Sequence, residues 1–501
     1  MFNLVNFTPR GYQLSILETC KNNNTLVVLP TGTGKTAIAL LLGLERLNKY
    51  QNSKTLIISP TKPLCQQHAN TFKQYTDINK DEILLLTGAT NANKRAELWQ
   101  NAHVIIATPQ TIQKDLEAGR ISLKDFSMLC VDEAHRSRQN FANTHVTKYY
   151  FEQSLNPRII ALTASPGGTL DKIKDIMKNL NLEAVEIRSE QDKDVKPHIQ
   201  KREIEWINVE LPKELLELHS LIKRIYLGKA KNLRNLGVTK PLNLINKKDL
   251  INLQLQFRKN IRENPASYHG ISLVAQLMKI DYALELLEIQ SLSSLAKYFE
   301  KLKKDESKAA KTLLKLKETQ DVINLINNLI NNRIEHPKFN KLLEIVKEEI
   351  NLNPNIKIMI FANYRDTVED ILNLLKSNDI NVIKLIGQKG GLTQKQQINI
   401  VKHFEETNDN VLVGTSIMEE GLDIKGANTV IFYEAVPSEI RKIQRAGRVA
   451  RLQAGKIIFL ITKNTRDEAY FWSGYQKEKR MKKTLYNLKD KNISEFLKED
   501  G

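Results

Sequence analysis

Cysteine is scarce in this sequence. There are three, Cys20, Cys65 and Cys130, far apart and odd in number. That excludes a disulfide framework and a cysteine-based zinc site, and it predicts a reducing compartment. Long apolar runs are missing too, so no segment is expected to span a bilayer and no membrane partner is expected. The opening residues, MFNLVNFTPR, lack a basic stretch followed by an apolar one, so no secretory signal is expected. Acidic residues are outnumbered: 57 Asp and Glu stand against 75 Lys and Arg, a net charge of +18. Such an excess favours a polyanionic partner through counterion release from phosphates, although solubility alone also accounts for a basic balance. What is present is enough apolar material, 41% of residues, for ordinary cores, and a length that suggests two to four domains.

The pattern along the chain changes twice. First, short apolar runs alternate with helical patterns. TLVVL (25–29), TLIIS (55–59), HVIIAT (103–108), MLCVDE (128–133) and RIIALTA (158–164) predict buried strands, separated by stretches such as KTAIALLLGLERLNKY (35–50). This is the β-α-β grammar of a parallel, doubly wound sheet. From roughly 211 to 333 strand signals are almost absent, and long amphipathic patterns rich in Lys and Arg predict an all-helical insert. After His336-Pro337 the alternation returns with KIMIFA, NVIKLIG, NVLVGT, TVIFY and KIIFLIT. The fold class is therefore α/β. The expected parts are 1–205, a first α/β domain; 206–335, the helical insert; 336–478, a second α/β domain; and 479–501, a basic tail that is either a solvated helix or a nucleic-acid contact. No sequence repeat relates the two sheets.

The chemistry-bearing residues fall at the expected strand ends. VVLPTGTGKT places Gly32, Gly34, Lys35 and Thr36 between a strand and a helix. Small residues let successive backbone N–H groups converge on phosphate oxygens. The helix N-terminus and Lys35 supply positive charge, and the Thr36 hydroxyl can hold Mg²⁺. The general pattern has a glycine where this chain has Leu29. MLCVDEAH ends another strand with Asp132, placed to bind the same Mg²⁺, and Glu133, placed to orient or deprotonate an attacking water. His135 is expected to couple this loop to TAS (163–165). Far downstream, QRAGRVAR (444–451) spaces Arg445, Arg448 and Arg451 three residues apart. Alone this is a salt-bridged helix face. With a phosphate loop elsewhere, it can supply arginines that neutralise the charge of an in-line phosphoryl transfer. Hydrolysis would then depend on closure of the two domains.

In order and spacing, PTGTGKT, PTKPL, TG, TPQ, VDEAH, TAS, IFANYRDT, GTSIMEEGLDI and QRAGRVAR resemble the successive motifs of a superfamily 2 DEAH-box helicase. ATPQTIQKDLEAGRISLKD, LTASPGG, FYEAVPSEIRKIQRAGR and TRDEAYFW carry a closer likeness, to the helicase part of the archaeal Hef and Fanconi anaemia M family. The resemblance covers nearly the whole chain. It implies two RecA-like domains flanking a thumb-like, DNA-binding helical insert.

The resemblance also implies residue roles. ATP would be held by Arg10, Gln13, Thr31, Gly32, Thr33, Gly34, Lys35, Thr36 and Asp423, with Gln13 reading adenine and Asp423 touching ribose. Lys35, Asp132, Glu133, Arg448 and Arg451 would be catalytic, with Mg²⁺ on Thr36 and Asp132. His135, Thr163, Ser165 and Gln444 would couple the parts. Thr61, Lys62, Thr108 and Pro109 would contact a nucleic-acid strand in the first domain, and Asn363, Arg365, Thr415 and Ser416 in the second. Such short polar groups suit backbone tracking, which carries no sequence information. The chain departs from the pattern at Ala450, where the arginine motif usually ends in glycine. It also has no ERK…D nuclease signature, so a nuclease is expected either beyond Gly501 or on a separate polypeptide. The implied activity is ATP-dependent unwinding or remodelling of branched DNA in repair, in the cytoplasm on the nucleoid. A separate nuclease or a sliding clamp is the partner suggested by analogy. Two rivals remain. One is a double-stranded-RNA-dependent ATPase of the same layout. The other is an idle nucleic-acid scaffold, which the intact Lys35, Asp132, Glu133, Arg448 and Arg451 disfavour.

Overall fold

The computed structural model describes the chain except residues 89, 138–140, 168, 199–202, 263, 388–391, 408–409, 416–426, 435–454 and 490–501. Among the described residues the strands form two sheets, and every strand pairing within them is parallel. The first sheet uses β1 (Thr25–Val28), β2 (Lys54–Ile58), β3 (Ile83–Leu86), β4 (Val104–Ala107), β5 (Phe126–Asp132), β6 (Ile159–Thr163) and β7 (Ala184–Ile187). Its order is β3-β4-β2-β5-β6-β1-β7. The second uses β8 (Glu203–Val209), β9 (Ile358–Phe361), β10 (Val382–Leu385), β11 (Val411–Gly414), β12 (Thr429–Phe432) and β13 (Lys456–Thr462), in the order β10-β11-β9-β12-β13-β8.

Strands covered on both faces need apolar side chains on both, so the central ones read as unbroken apolar runs. β1, β4, β5 and β6 are buried at every position. Helices α1 (Gly11–Asn22), α2 (Lys35–Lys49) and α3 (Lys62–Tyr75) cover one side, where Ile16, Ile38, Leu42 and Phe72 meet Ile57, Met128 and Ile160. Residues 213–331 form the helical insert around its own core, including Leu218, Leu277, Leu287 and Ile326.

Two expected boundaries are corrected. The junction at 205/206 falls inside β8, which pairs along its whole length with β13. The chain therefore enters the second sheet before it makes the insert, whose first helix starts at Lys213. The 478/479 junction falls inside one continuous helix, Arg466–Lys489. Its residues up to 487 are not a loose tail: Met481 and Leu485 are buried in the core of the first domain beside Ile176, Met177 and Ile187.

Candidate nucleotide and nucleic-acid site

In a parallel sheet all carboxyl ends point one way, so loops that follow β1, β5 and β6 gather at one edge. Val28 is in register with Thr163, and Asp132 with Leu162. The loop after β1 turns through Gly32 and Gly34, both at positive φ (84° and 81°). Side-chain-bearing residues rarely adopt that backbone. Gly34 then caps α2. A Cβ at Gly34 would lie 2.6 Å from Gln13 Nε2, so the cradle needs glycine for space as well as for φ. Lys35 folds back over the loop, its Nζ donating to the carbonyls of Leu29 (3.0 Å) and Pro30 (3.1 Å). Thr33 Oγ1 donates to Pro30 O at 2.6 Å.

Helix α1 brings the expected base-reading residues to this loop. Gln13 Nε2 donates to the carbonyls of Thr33 (3.3 Å) and Gly34 (3.4 Å), and Gln13 Oε1 accepts from the Arg10 amide. Arg10 Nη1 donates to Tyr12 Oη, which donates to Thr33 O. Arg10, Gln13, Thr33 and Gly34 therefore form one hydrogen-bonded unit.

Asp132 ends β5, 8% exposed. Its Oδ2 accepts from Ser59 Oγ (3.0 Å) and lies 3.1 Å from His68 Nε2, while Oδ1 accepts from the Glu133 amide (2.9 Å). Burial alone would raise its pKa. The His68 hydrogen bond and charge, the Ser59 donor and the positive charge of Lys35 overcome this and hold the carboxyl below its ordinary value. Glu133 sits in the left-handed region at φ 51°, a strained placement that turns its side chain out of the strand. His135 Nδ1 lies 3.3 Å from Glu133 Oε2 and 3.2 Å from Thr163 Oγ1. Thr163 Oγ1 in turn accepts from the Ser165 amide. A chain of contacts thus joins VDEAH to TAS. Its far end is one the sequence did not suggest: Ser165 Oγ lies 3.2 Å from Met481 Sδ in the last described helix.

The strand-contact candidates of the first domain follow neighbouring strands, since Ile58 is in register with Ala107. Thr61 and Lys62 open α3, and the buried Thr61 Oγ1 has no hydrogen-bond partner among the described residues. Thr108 and Pro109 open the helix Pro109–Glu117. In the second domain Asn363 and Thr415 follow the paired strands β9 and β11, and Arg365 opens the helix Arg365–Lys376. The Asn363 amide is held by Glu434, whose carboxylate also accepts from Thr367 Oγ1. Asp423, Gln444, Arg448, Arg451 and Ser416 lie outside the described residues. A cavity of about 460 Å³ separates the phosphate loop from the second sheet, lined among others by Leu29, Thr31, Trp206, Phe459 and Met481.

Nucleotide and metal fit what is present: a glycine cradle that a Cβ would fill, an amine over it, and a carboxylate kept ionised nearby. Sequence reasoning missed Ser59, His68, Glu434 and Met481. A histidine in a helix and a serine after a strand carry no local signal, because their meaning comes from neighbouring strands.

Comparison with known proteins places these features. Residues 10–173 match the family described as DEAD/DEAH box helicase, 337–453 the helicase conserved C-terminal domain, and 214–332 the helical bundle of putative ATP-dependent RNA helicases. The crystal structure of the Pyrococcus furiosus Hef helicase domain superposes with a TM-score of 0.75 at 40% identity, covering 93% of this chain and 98% of that one. A putative ATP-dependent RNA helicase of Methanocaldococcus jannaschii is 41% identical over 96% of this chain and 61% of its own length. The ATP-dependent DNA helicase mph1 of Neurospora crassa is 30% identical over 92% of this chain and 41% of its own. The chain therefore spans less than two thirds of the length of these curated relatives.

Proposed function

This chain belongs to the superfamily 2 helicases, close to the Hef and Fanconi anaemia M branch, and from that premise we propose that it is an ATP-driven motor that unwinds or remodels branched DNA in repair. The observation that carries the reading is the convergence of Lys35, Asp132, Glu133 and His135 at one sheet edge, facing a second domain of the same fold. The loop amides at 32–36 and Lys35 bind the phosphates of ATP. Thr36 and Asp132 would hold Mg²⁺, which would supply charge neutralisation at the phosphates. Glu133, turned out of the strand and steadied by His135, orients the attacking water. Arg448 and Arg451 complete the site from the second domain, with Gln444 beside them and Asp423 on the ribose. Thr61, Lys62, Thr108 and Pro109, with Asn363, Arg365, Thr415 and Ser416, grip one strand's backbone from the two domains in turn. His135, Thr163 and Ser165 pass the state of the nucleotide towards the second domain.

DNA is favoured because several relatives carry DNA-helicase names. RNA is the second reading, favoured by the name of the Methanocaldococcus relative. Steady-state ATP hydrolysis at one fixed salt concentration separates them, since phosphate contacts make every affinity salt-dependent. The arms are no nucleic acid, single-stranded DNA, a DNA fork and double-stranded RNA. The fork is expected to stimulate most. Strongest stimulation by double-stranded RNA would replace this reading with the RNA one.

A further inference from the structure

The phosphate-site carboxylate has a partner that the helicase motifs do not name. Helix α3 opens at the strand-contact residues Thr61 and Lys62 and carries His68 inward, where it is 2% exposed. An ionised carboxylate has no proton to give, so the contact at 3.1 Å requires His68 Nε2 to carry the hydrogen and donate it to Asp132 Oδ2. Ser59 Oγ donates to the same oxygen from the end of β2. The other oxygen, Oδ1, takes only the amide of Glu133 among the described hydrogen bonds and keeps a lone pair. His68 Nδ1 is buried with no hydrogen-bond partner among the described residues, a cost that an apolar residue filling the same space would not carry. The ring is thus placed for what its Nε2 does.

We propose that His68 is a positioning residue for the metal: by loading Oδ2 it fixes the Asp132 carboxylate so that Oδ1 faces the ion that accompanies the nucleotide. The proposal rests on the nucleotide-site reading above. It also has a consequence for coupling, because His68 and the strand-contact end of α3 belong to one rigid helix. Displacement of Thr61 and Lys62 by a bound strand is transmitted to the metal-facing carboxylate without passing through the second domain. Outer-shell partners of this kind typically matter by about ten- to a hundredfold in metal affinity.

The test uses the whole chain, ADP and Mn²⁺, with bound Mn²⁺ read by electron paramagnetic resonance. His68→Gln keeps an N–H donor where Nε2 was, while His68→Asn places its amide at the Nδ1 position and loses the contact. Both are expected to bind ADP in excess chelator as the wild type does. His68→Asn should hold Mn²⁺ in the ADP complex at least about tenfold more weakly, and His68→Gln within about threefold of wild type. Equal Mn²⁺ affinity in the two variants, whether intact or lost, overturns the proposal and leaves His68 as a buried space-filling partner. In wild-type protein with nitrogen-15-labelled histidine, the His68 Nε2 resonance should move when Mg²⁺ is added to the ADP complex. A resonance that stays put overturns the proposal even where His68→Asn fails to fold. A wild-type chain that binds ADP and Mn²⁺ no better together than apart removes the nucleotide-site reading itself, a failure visible before any variant is made.

Discussion

At the scale of single residues, the site depends on charges held where water would not leave them. Lys35 is tied to two carbonyls of its own loop, so its ammonium is already in place for the phosphate of the proposed site. Lys35→Ala should lower ATP turnover by at least about a hundredfold, as removal of one transition-state donor does. Glu133→Gln keeps size and removes the base, and turnover should fall as far while nucleic-acid binding, measured by fluorescence anisotropy, is retained. Wild-type-like hydrolysis by Glu133→Gln would remove its assigned role. Glu434 is a different case. It is 1% exposed, and burial pushes its carboxyl up to about 7 against the opposing pull of the Asn363 amide, Lys338 and Thr367. A raised carboxyl binds its proton more tightly folded than unfolded. Its contribution to stability is therefore greatest below the ordinary value of 4.5 and is lost as pH rises to about 7. Glu434→Gln cannot titrate. The difference in melting temperature between variant and wild type should shift in the variant's favour from about pH 5 to about pH 8. A difference that is constant over that range would show that Glu434 stays ionised throughout.

At the scale of elements, the ten strands read from apolar runs are all present. Three were not read: β3, although its ILLL is an apolar run; β7, which is only half-buried; and β8, which alternates Glu203 and Glu205 with Ile204 and Trp206 at a sheet edge. An edge strand has one neighbour and one wet side, so its composition resembles a loop's. The candidate site was more legible than the edges. Glycines, a lysine and paired acids at strand ends have chemistry that survives without context, whereas His68 and Glu434 acquire roles only from strands distant in sequence. Of the helix Arg466–Lys489 only the basic end was legible as helical, and its role as a brace was not. Arg466 is held by Asp281 and Glu288 of the insert, Phe471 packs edge-on to Trp206 of β8, and Met481 and Leu485 enter the first core. One helix thus touches all three parts, and its Met481 meets Ser165. Met481→Ala should cost about 2–4 kcal/mol of stability, as buried methionine truncations do, measured by denaturant unfolding. Beyond that loss, stimulation by nucleic acid should fall while unstimulated hydrolysis persists at temperatures where the variant is folded. Unchanged stimulation would make the brace purely structural.

At the scale of the whole molecule, the insert is joined to the second domain by polar contacts. Tyr364 Oη donates to Glu285 Oε1, Ser291 and Ser293 donate to Asp370, and Tyr433 Oη donates to the Gln290 carbonyl. Tyr364 sits between Asn363 and Arg365, so the insert rests on the loop proposed to hold a strand. Excising residues 211–333 would strand these partners, and loss of activity in such a deletion would report damage to the second domain. The basic surface is better tested by side chains alone. Arg258, Lys259 and Arg262 are exposed where the helix Lys247–Lys259 runs into the following turn. If this end grips duplex arms, each lost phosphate contact lowers the slope of log affinity against log salt by about 0.9 for duplex DNA. The triple alanine variant should therefore bind a fork with a slope smaller by about two to three, while melting temperature and unstimulated hydrolysis stay as in the wild type. Single-stranded DNA, which on the proposed reading is gripped by the two sheet domains, should bind with an unchanged slope. The fork's advantage over the single strand in stimulating hydrolysis should shrink accordingly. An unaltered slope on the fork would move the duplex contact off the insert and leave its positive charge as solvated surface.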